Sequence, residues 1–160
     1  MISQDGVRVY ELVLAEGVRP ADVVRVHREV LHVLRWSIDA AHIDAYSGDA
    51  WPAEVLHSYE RVLSLARQEV VSGTRSRRSD PGMGIDLDVR DDGQFKVLSD
   101  LAPYTINAEG WRDGRLVFSA SDSGTALWTE VTQEQGAALL SRLGQLGIPP
   151  GVLTLLPPGR

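Results

Sequence analysis

Residues 84–132 read GIDLDVRDDGQFKVLSDLAPYTINAEGWRDGRLVFSASDSGTALWTEVT. Short runs of alternating apolar and polar residues are cut here by three glycine-terminated groups: Asp91-Asp92-Gly93, Arg112-Asp113-Gly114 and Asp122-Ser123-Gly124. A period of two belongs to strands, whose successive side chains point to opposite faces. Asp-Gly between two such runs favours a two-residue hairpin, and Asp122-Ser123-Gly124 fits a three-residue turn closed by a left-handed glycine. The stretch predicts five strands, at about 84–90, 94–99, 104–111, 115–121 and 125–131, with neighbours antiparallel.

Upstream of residue 80 the spacing is helical. Pro20 suits the first position of a helix over about 20–36. Its stripe is Val23, Val26, Val30, Val33 and Leu34, with His27 inside it. A second helix, about 52–72, opens at Pro52, closes near Gly73 and carries Val55, Tyr59, Val62, Leu63, Ala66 and Val70 on one face. Residues 37–51 between them read as a long loop. Val7–Ala15 reads as an inner strand, apolar on both faces. Residues 73–84, rich in Gly, Ser and Arg, read as a linker. Thr132-Gln133-Glu134-Gln135 is a capping box that opens a last helix, with Leu139, Leu140, Leu143 and Leu146 on its apolar side and Gly147 at its end. The tail 152–156 is apolar and is expected to dock on the body.

The expected architecture is a single α+β domain over residues 1–160. A mainly antiparallel sheet of five to six strands carries two N-terminal helices and one C-terminal helix on one face. The helical half covers about 17–73, the β-meander about 83–132 and the last helix about 132–147. Ile85, Leu87 and Val89 are expected to face the helices, and Asp86, Asp88 and Arg90 to face solvent or a partner.

The chain of 160 residues has no cysteine, which excludes disulfides and thiol chemistry. Its net charge is −6. Residues 83–134 hold ten acids against four bases, so the β half carries the whole imbalance. Such a surface repels phosphates and argues against nucleic acid or anionic membrane as partner. Residues 1–6 lack the basic-then-apolar layout of a signal peptide, and a cytoplasmic location is expected. Arginine supplies 15 of the 16 basic residues, the usage expected of a GC-rich bacterial coding sequence.

Several groups invite a chemical reading. Glu29-Val30-Leu31-His32 and Glu54-Val55-Leu56-His57 repeat the E-x-x-H pattern of di-iron bundles. With each helix core at 0°, these side chains fall at about 180–260°, on the polar side, so no metal or other cofactor is expected. His27 reads as a buried neutral imidazole. His42 and Asp44, with Trp51 near them in sequence, form an alternative pocket set for acid–base chemistry, although no nucleophile elbow accompanies them. Gly82-Met83-Gly84 precedes a strand instead of opening a helix, so it serves a turn and not a phosphate. Arg75, Arg77 and Arg78 form a small basic patch in the linker. Trp36 lies off its helix stripe, and Trp111 shares strand parity with Asn107 and Glu109.

Three functional classes fit these residues. The first is a non-catalytic protein-binding domain, of the immunity or antitoxin kind, with Asp86, Asp88, Glu109 and Trp111 contacting a basic protein. The second is a small-molecule binder or enzyme with a pocket between helices and sheet, using His42, Asp44 and Trp51; fold-level analogy with NTF2-like domains is all that suggests the cavity. The third is a homo-oligomeric structural domain.

Overall fold

The computed structural model describes residue 6 and residues 8–157. In chain order the elements are β1 (Val9–Leu14), α1 (Pro20–Leu34), β2 (Ala40–Asp44), α2 (Leu56–Ser72), β3 (Ile85–Leu87), α3 (Asp92–Leu101), β4 (Asn107–Arg112), β5 (Arg115–Ser121), β6 (Ala126–Thr132), α4 (Gln133–Gln145) and β7 (Leu153–Leu155). The strands form one seven-stranded sheet in the order β3-β2-β4-β5-β6-β1-β7. Every neighbouring pair is antiparallel. The class is α+β, as the alternation over 84–132 implies.

The meander β4-β5-β6 is the middle of the sheet. Asp113 and Gly114 both take positive φ, 50° and 76°, the pair a two-residue primed turn needs. The apolar parity of the strands supplies one wall of the core: Ile43, Ile85, Ala108, Phe118, Leu127 and Val131 are all buried. Against it lie Val26, Val30, Leu31 and Leu34 of α1, Val62 and Ala66 of α2, Val97, Leu98 and Leu101 of α3, and Leu139 and Leu143 of α4. Phe118 is fully buried, and truncating such a ring costs about 3–5 kcal/mol through lost transfer energy plus a cavity. The C-terminal capping box forms as its spacing predicts, with Thr132 accepting from the Gln135 amide and Gln135 accepting from the Thr132 amide. Gly136 lies where Tyr10 crosses α4; a Cβ there would sit 1.6 Å from the Tyr10 hydroxyl, so only glycine admits the contact.

Four expectations need correction. Residues 94–99 are not a strand but the body of α3. Asp91 accepts from the Gln94 amide as N-cap, while the Gln94 side chain accepts from the Asp88 amide. Phe95, Leu98 and Leu101 then follow helical spacing toward α1 and the sheet. Gly93 therefore makes no hairpin; it sits in the first turn of α3. Residues 37–51 are not a plain loop, because β2 occupies 40–44 and lies between β3 and β4. The strand expected over 104–111 starts at Asn107, after a short 3-10 turn over Ala102–Tyr104. Among the described residues the sheet accordingly has seven strands, and four α-helices accompany it. The apolar tail does dock, as edge strand β7 on β1, and β1 is flanked on both sides. Val7, expected in that first strand, lies outside the described residues.

No helix among the described residues is long and apolar enough to cross a membrane.

Candidate functional site

With the apolar parity packed under the helices, the opposite parity forms the outer face of the sheet. Register decides what that face assembles. Asp86 pairs with His42, His42 with Glu109, Glu109 with Ser119, Ser119 with Trp128, Trp128 with Val13, and Val13 with Thr154. These seven side chains make a single row at right angles to the strands. From Asp86 to Trp128 the row crosses four inter-strand gaps, about 19 Å at the usual spacing of about 4.8 Å. The Asp86 end is acidic and the Trp128 end apolar.

A groove of about 380 Å³ opens at the acidic end, lined by His42, Asp44, Asp86, Asn107, Glu109 and Trp111 over a floor at Ala40 and Ala41. Its side chains are held by one another. The Asn107 amide donates to Asp44 Oδ2 at 3.1 Å and to Glu109 Oε1 at 2.9 Å. The Trp111 indole N–H donates to Glu109 Oε2 at 3.1 Å, and the Gly84 amide donates to Asp44 Oδ1 at 2.7 Å. His42 stands between two carboxylates, Nε2 at 3.2 Å from Asp44 and Nδ1 at 3.2 Å from Asp86. Between Gly110 and Trp111 the register with β5 shifts by one residue, leaving Val117 as the extra residue of a bulge in β5 beside this groove.

Electrostatics follow from that geometry. Partial burial pulls the His42 pKa down, but the bonds and charges of Asp86 and Asp44 outweigh it, and the net shift is upward. Burial pushes Asp44 up, yet the Gly84 amide, Asn107 and His42 bring it below the ordinary carboxylate range. The groove thus holds an imidazole inclined to carry charge among three carboxylates, and it keeps a negative excess. Asp86 is its most available acid, with a side chain 89% exposed.

A second aromatic–acid pair lies on the same face. Trp128 donates from Nε1 to Glu11 Oε1 at 3.0 Å. Glu11 is directly opposite Glu130, an unfavourable pairing of like charges. Glu130 is buried, and Arg115 offsets it with a 2.5 Å contact from Nη2.

The two residue sets expected separately from the sequence meet here. Asp86, Glu109 and Trp111 from the sheet set share the groove with His42 and Asp44 from the pocket set. Asp88 does not join them; it belongs to the turn into α3, where its carboxylate accepts from the Arg90 amide. Trp51 does not join them either, because it stacks on Tyr59 of α2 with centroids 4.9 Å apart. Asn107, Trp128, Glu11 and Glu130 were not singled out by the sequence. Strand parity linked Asn107 to Glu109, but placing Trp128 in line with Glu109 requires the register.

The remaining candidates are placed as follows. Glu29 pairs with Arg142 and Glu54 accepts from the Tyr104 hydroxyl, while His32 and His57 are exposed. Among the described residues no group of three or more His, Asp or Glu side chains is placed to hold a metal ion. His27 is fully buried, donates from Nδ1 to the Val23 carbonyl at 2.7 Å, and has its pKa lowered to about 4, chiefly by burial. Gly82 meets β2 closely, its carbonyl accepting from the Ala45 amide. Trp36 is 74% exposed, with the Arg35 guanidinium 4.4 Å from its ring centre.

Comparison of the chain with known protein families, with characterised proteins and with solved structures finds no match.

Proposed function

We propose that this protein is a non-catalytic protein-binding domain whose outer sheet face docks a basic protein, as an immunity or antitoxin protein docks a cationic toxin. The observation that carries the reading is the groove itself: three carboxylates and an indole, pre-oriented by hydrogen bonds from His42, Asn107 and Trp111, on the outer face of the sheet. A lysine or arginine side chain entering it meets charge from Asp86 and Glu109 and the flat surface of Trp111, a favourable setting for a cation. Further along the row, Trp128 and Val13 offer apolar area for the partner's neighbouring residues. Charges at such a rim mainly raise the association rate, and a central aromatic mainly slows dissociation. A second copy of the chain is a poor occupant, since two like acidic faces repel.

The catalytic reading of His42 and Asp44 fares worse. A general base needs a bare ring nitrogen within reach of a substrate proton, and both nitrogens of His42 face carboxylates. Fully buried Phe118, Ile43, Ala108 and Leu31 fill the space directly behind the groove; the cavity between helices and sheet, about 450 Å³, lies instead at the end of β1 beside Pro20, Val23 and Tyr104, away from His42, Asp44 and Trp51. A small-molecule reading draws support from the volume of the outer groove, about 380 Å³, which lies within the range of about 300–1,000 Å³ typical of ligand sites.

The test is capture of partners from the native host on the immobilised chain, followed by binding kinetics with each captured protein. A basic partner is expected. Its association should slow with added salt, and its dissociation should speed up at least tenfold in Trp111→Ala. Unchanged kinetics in both Trp111→Ala and Glu109→Gln would refute the assignment.

A further inference from the structure

A second cavity, sharing no residue with the outer groove, lies where the C-terminal turns of α2 meet the segment 73–84. Its volume is about 440 Å³. One side is apolar, formed by Val70, Val71 and Pro81, and the other carries Arg67, Arg75 and Arg77, with no acidic residue in the lining. Val71 is 88% exposed, an unusual place for an aliphatic side chain beside three guanidinium groups.

The arginines differ in what they already do. Arg75 is a built-in clamp: its side chain is 9% exposed, Nη2 donates to the Asp80 and Met83 carbonyls, and Nη1 lies 3.6 Å from Glu69. Its Nε–H is buried and has no acceptor among the described residues, although buried donors are nearly always satisfied. Arg67 and Arg77 are exposed and have no ion-pair partner among the described residues. The negative end of the α2 dipole, which would oppose an anion, is blunted here. The Glu69 carbonyl accepts from the Thr74 and Arg75 amides, and the Val70 carbonyl accepts from the Gly73 amide.

We propose that this cavity binds a small amphiphilic anion, a carboxylate or phosphate monoester carried on a short apolar chain. The headgroup lies between Arg67 and Arg77, while the chain covers Val70, Val71 and Pro81. Guanidinium groups match both headgroups in bidentate geometry, and the apolar side excludes a bare inorganic ion as the preferred occupant. The site has the opposite polarity to the outer groove, so the two are separable by experiment.

Titration of the full chain with octanoate and with octyl phosphate, followed by amide chemical shifts and calorimetry, tests it. Saturable binding of either probe in the low-millimolar range or tighter is expected, with shifts confined to residues 66–81. The tighter of the two identifies the headgroup. The double variant Arg67→Gln/Arg77→Gln, whose replaced side chains are exposed and unpaired, should keep its melting temperature and lose at least tenfold in affinity. Trp111→Ala should bind the probes as the parent does. Equal binding of octylammonium, undiminished binding by the double variant, or no saturable shift with either anion would overturn the proposal.

Discussion

His27→Leu should free the fold from a specific acid sensitivity. In the folded chain the imidazole is sealed in the core with Nδ1 bonded to the Val23 carbonyl and Nε2 without a partner among the described residues. Burial, only partly offset by that bond and reinforced by Arg28, takes its pKa from 6.5 to about 4. A folded value below the unfolded one means that acid favours the unfolded chain. Stability is unaffected at pH 7, is lost as pH falls through 6.5, and levels off below about 4. At about 1.4 kcal/mol for each pH unit between the two values, the full loss is about 3 kcal/mol, of which about 2 kcal/mol has accrued by pH 5. Leucine has nearly the imidazole's volume and removes the orphaned acceptor. The Val23 carbonyl keeps its α-helical bond, so the variant should lie within about 1 kcal/mol of the parent at pH 7. Urea unfolding of both proteins at pH 7 and pH 5 measures the difference, and the variant should gain about 2 kcal/mol on the parent between the two conditions. Parallel loss of stability in parent and variant would refute a buried neutral His27.

Two glycines that each follow an aspartate should respond in opposite ways. Gly114 has φ 76° and nothing within 4 Å of where a Cβ would stand, so Gly114→Val should cost about 1 kcal/mol or more through backbone strain alone. Gly93 is helical and its Cβ would meet only the flexible end of Arg61, so Gly93→Ala should be neutral or gain up to about 1 kcal/mol in denaturant melts. A large loss at Gly93 would restore the hairpin reading. At the groove, proton NMR titration of His42 should give a pKa above 6.5 that falls in Asp86→Asn, since the Asp86 contact raises it. The stabilisation His42 supplies is complete below its unfolded value and disappears as pH rises through the raised folded value. Loss of that proton also makes the groove more negative, so a basic partner should bind more tightly above the His42 pKa, and His42→Asn should flatten that profile. A pKa indifferent to Asp86→Asn would remove His42 from the groove.

Local chemistry by itself determined a good deal of this protein. The alternation over 115–121 and 125–131, the Asp113-Gly114 turn and the Thr132 capping box are properties of short windows, and the folded chain uses them as they stand; the stripes of α1 and α2 hold in most positions, with Leu31 buried beside the first and Val55 placed in a 3-10 turn before the second. The split of Ile85, Leu87 and Val89 from Asp86 and Asp88 was legible for the same reason, since a period of two assigns faces without knowledge of neighbours. Where two local readings competed, the window was too short. Asp91-Asp92-Gly93 satisfies a hairpin and an N-cap alike, and Phe95 and Val97 alternate while Phe95, Leu98 and Leu101 recur helically. The choice fell to the helix because α3 buries Val97, Leu98 and Leu101 completely, which a strand at that place would not. The five-residue run at β2 carries alanine, histidine and aspartate, weak strand formers whose pairing energy comes from β3 and β4. The groove is a product of that pairing. His42, Asp86 and Glu109 are distant along the chain, and only strand order and register, set by burial of the opposite face, bring them into one row beside Trp111.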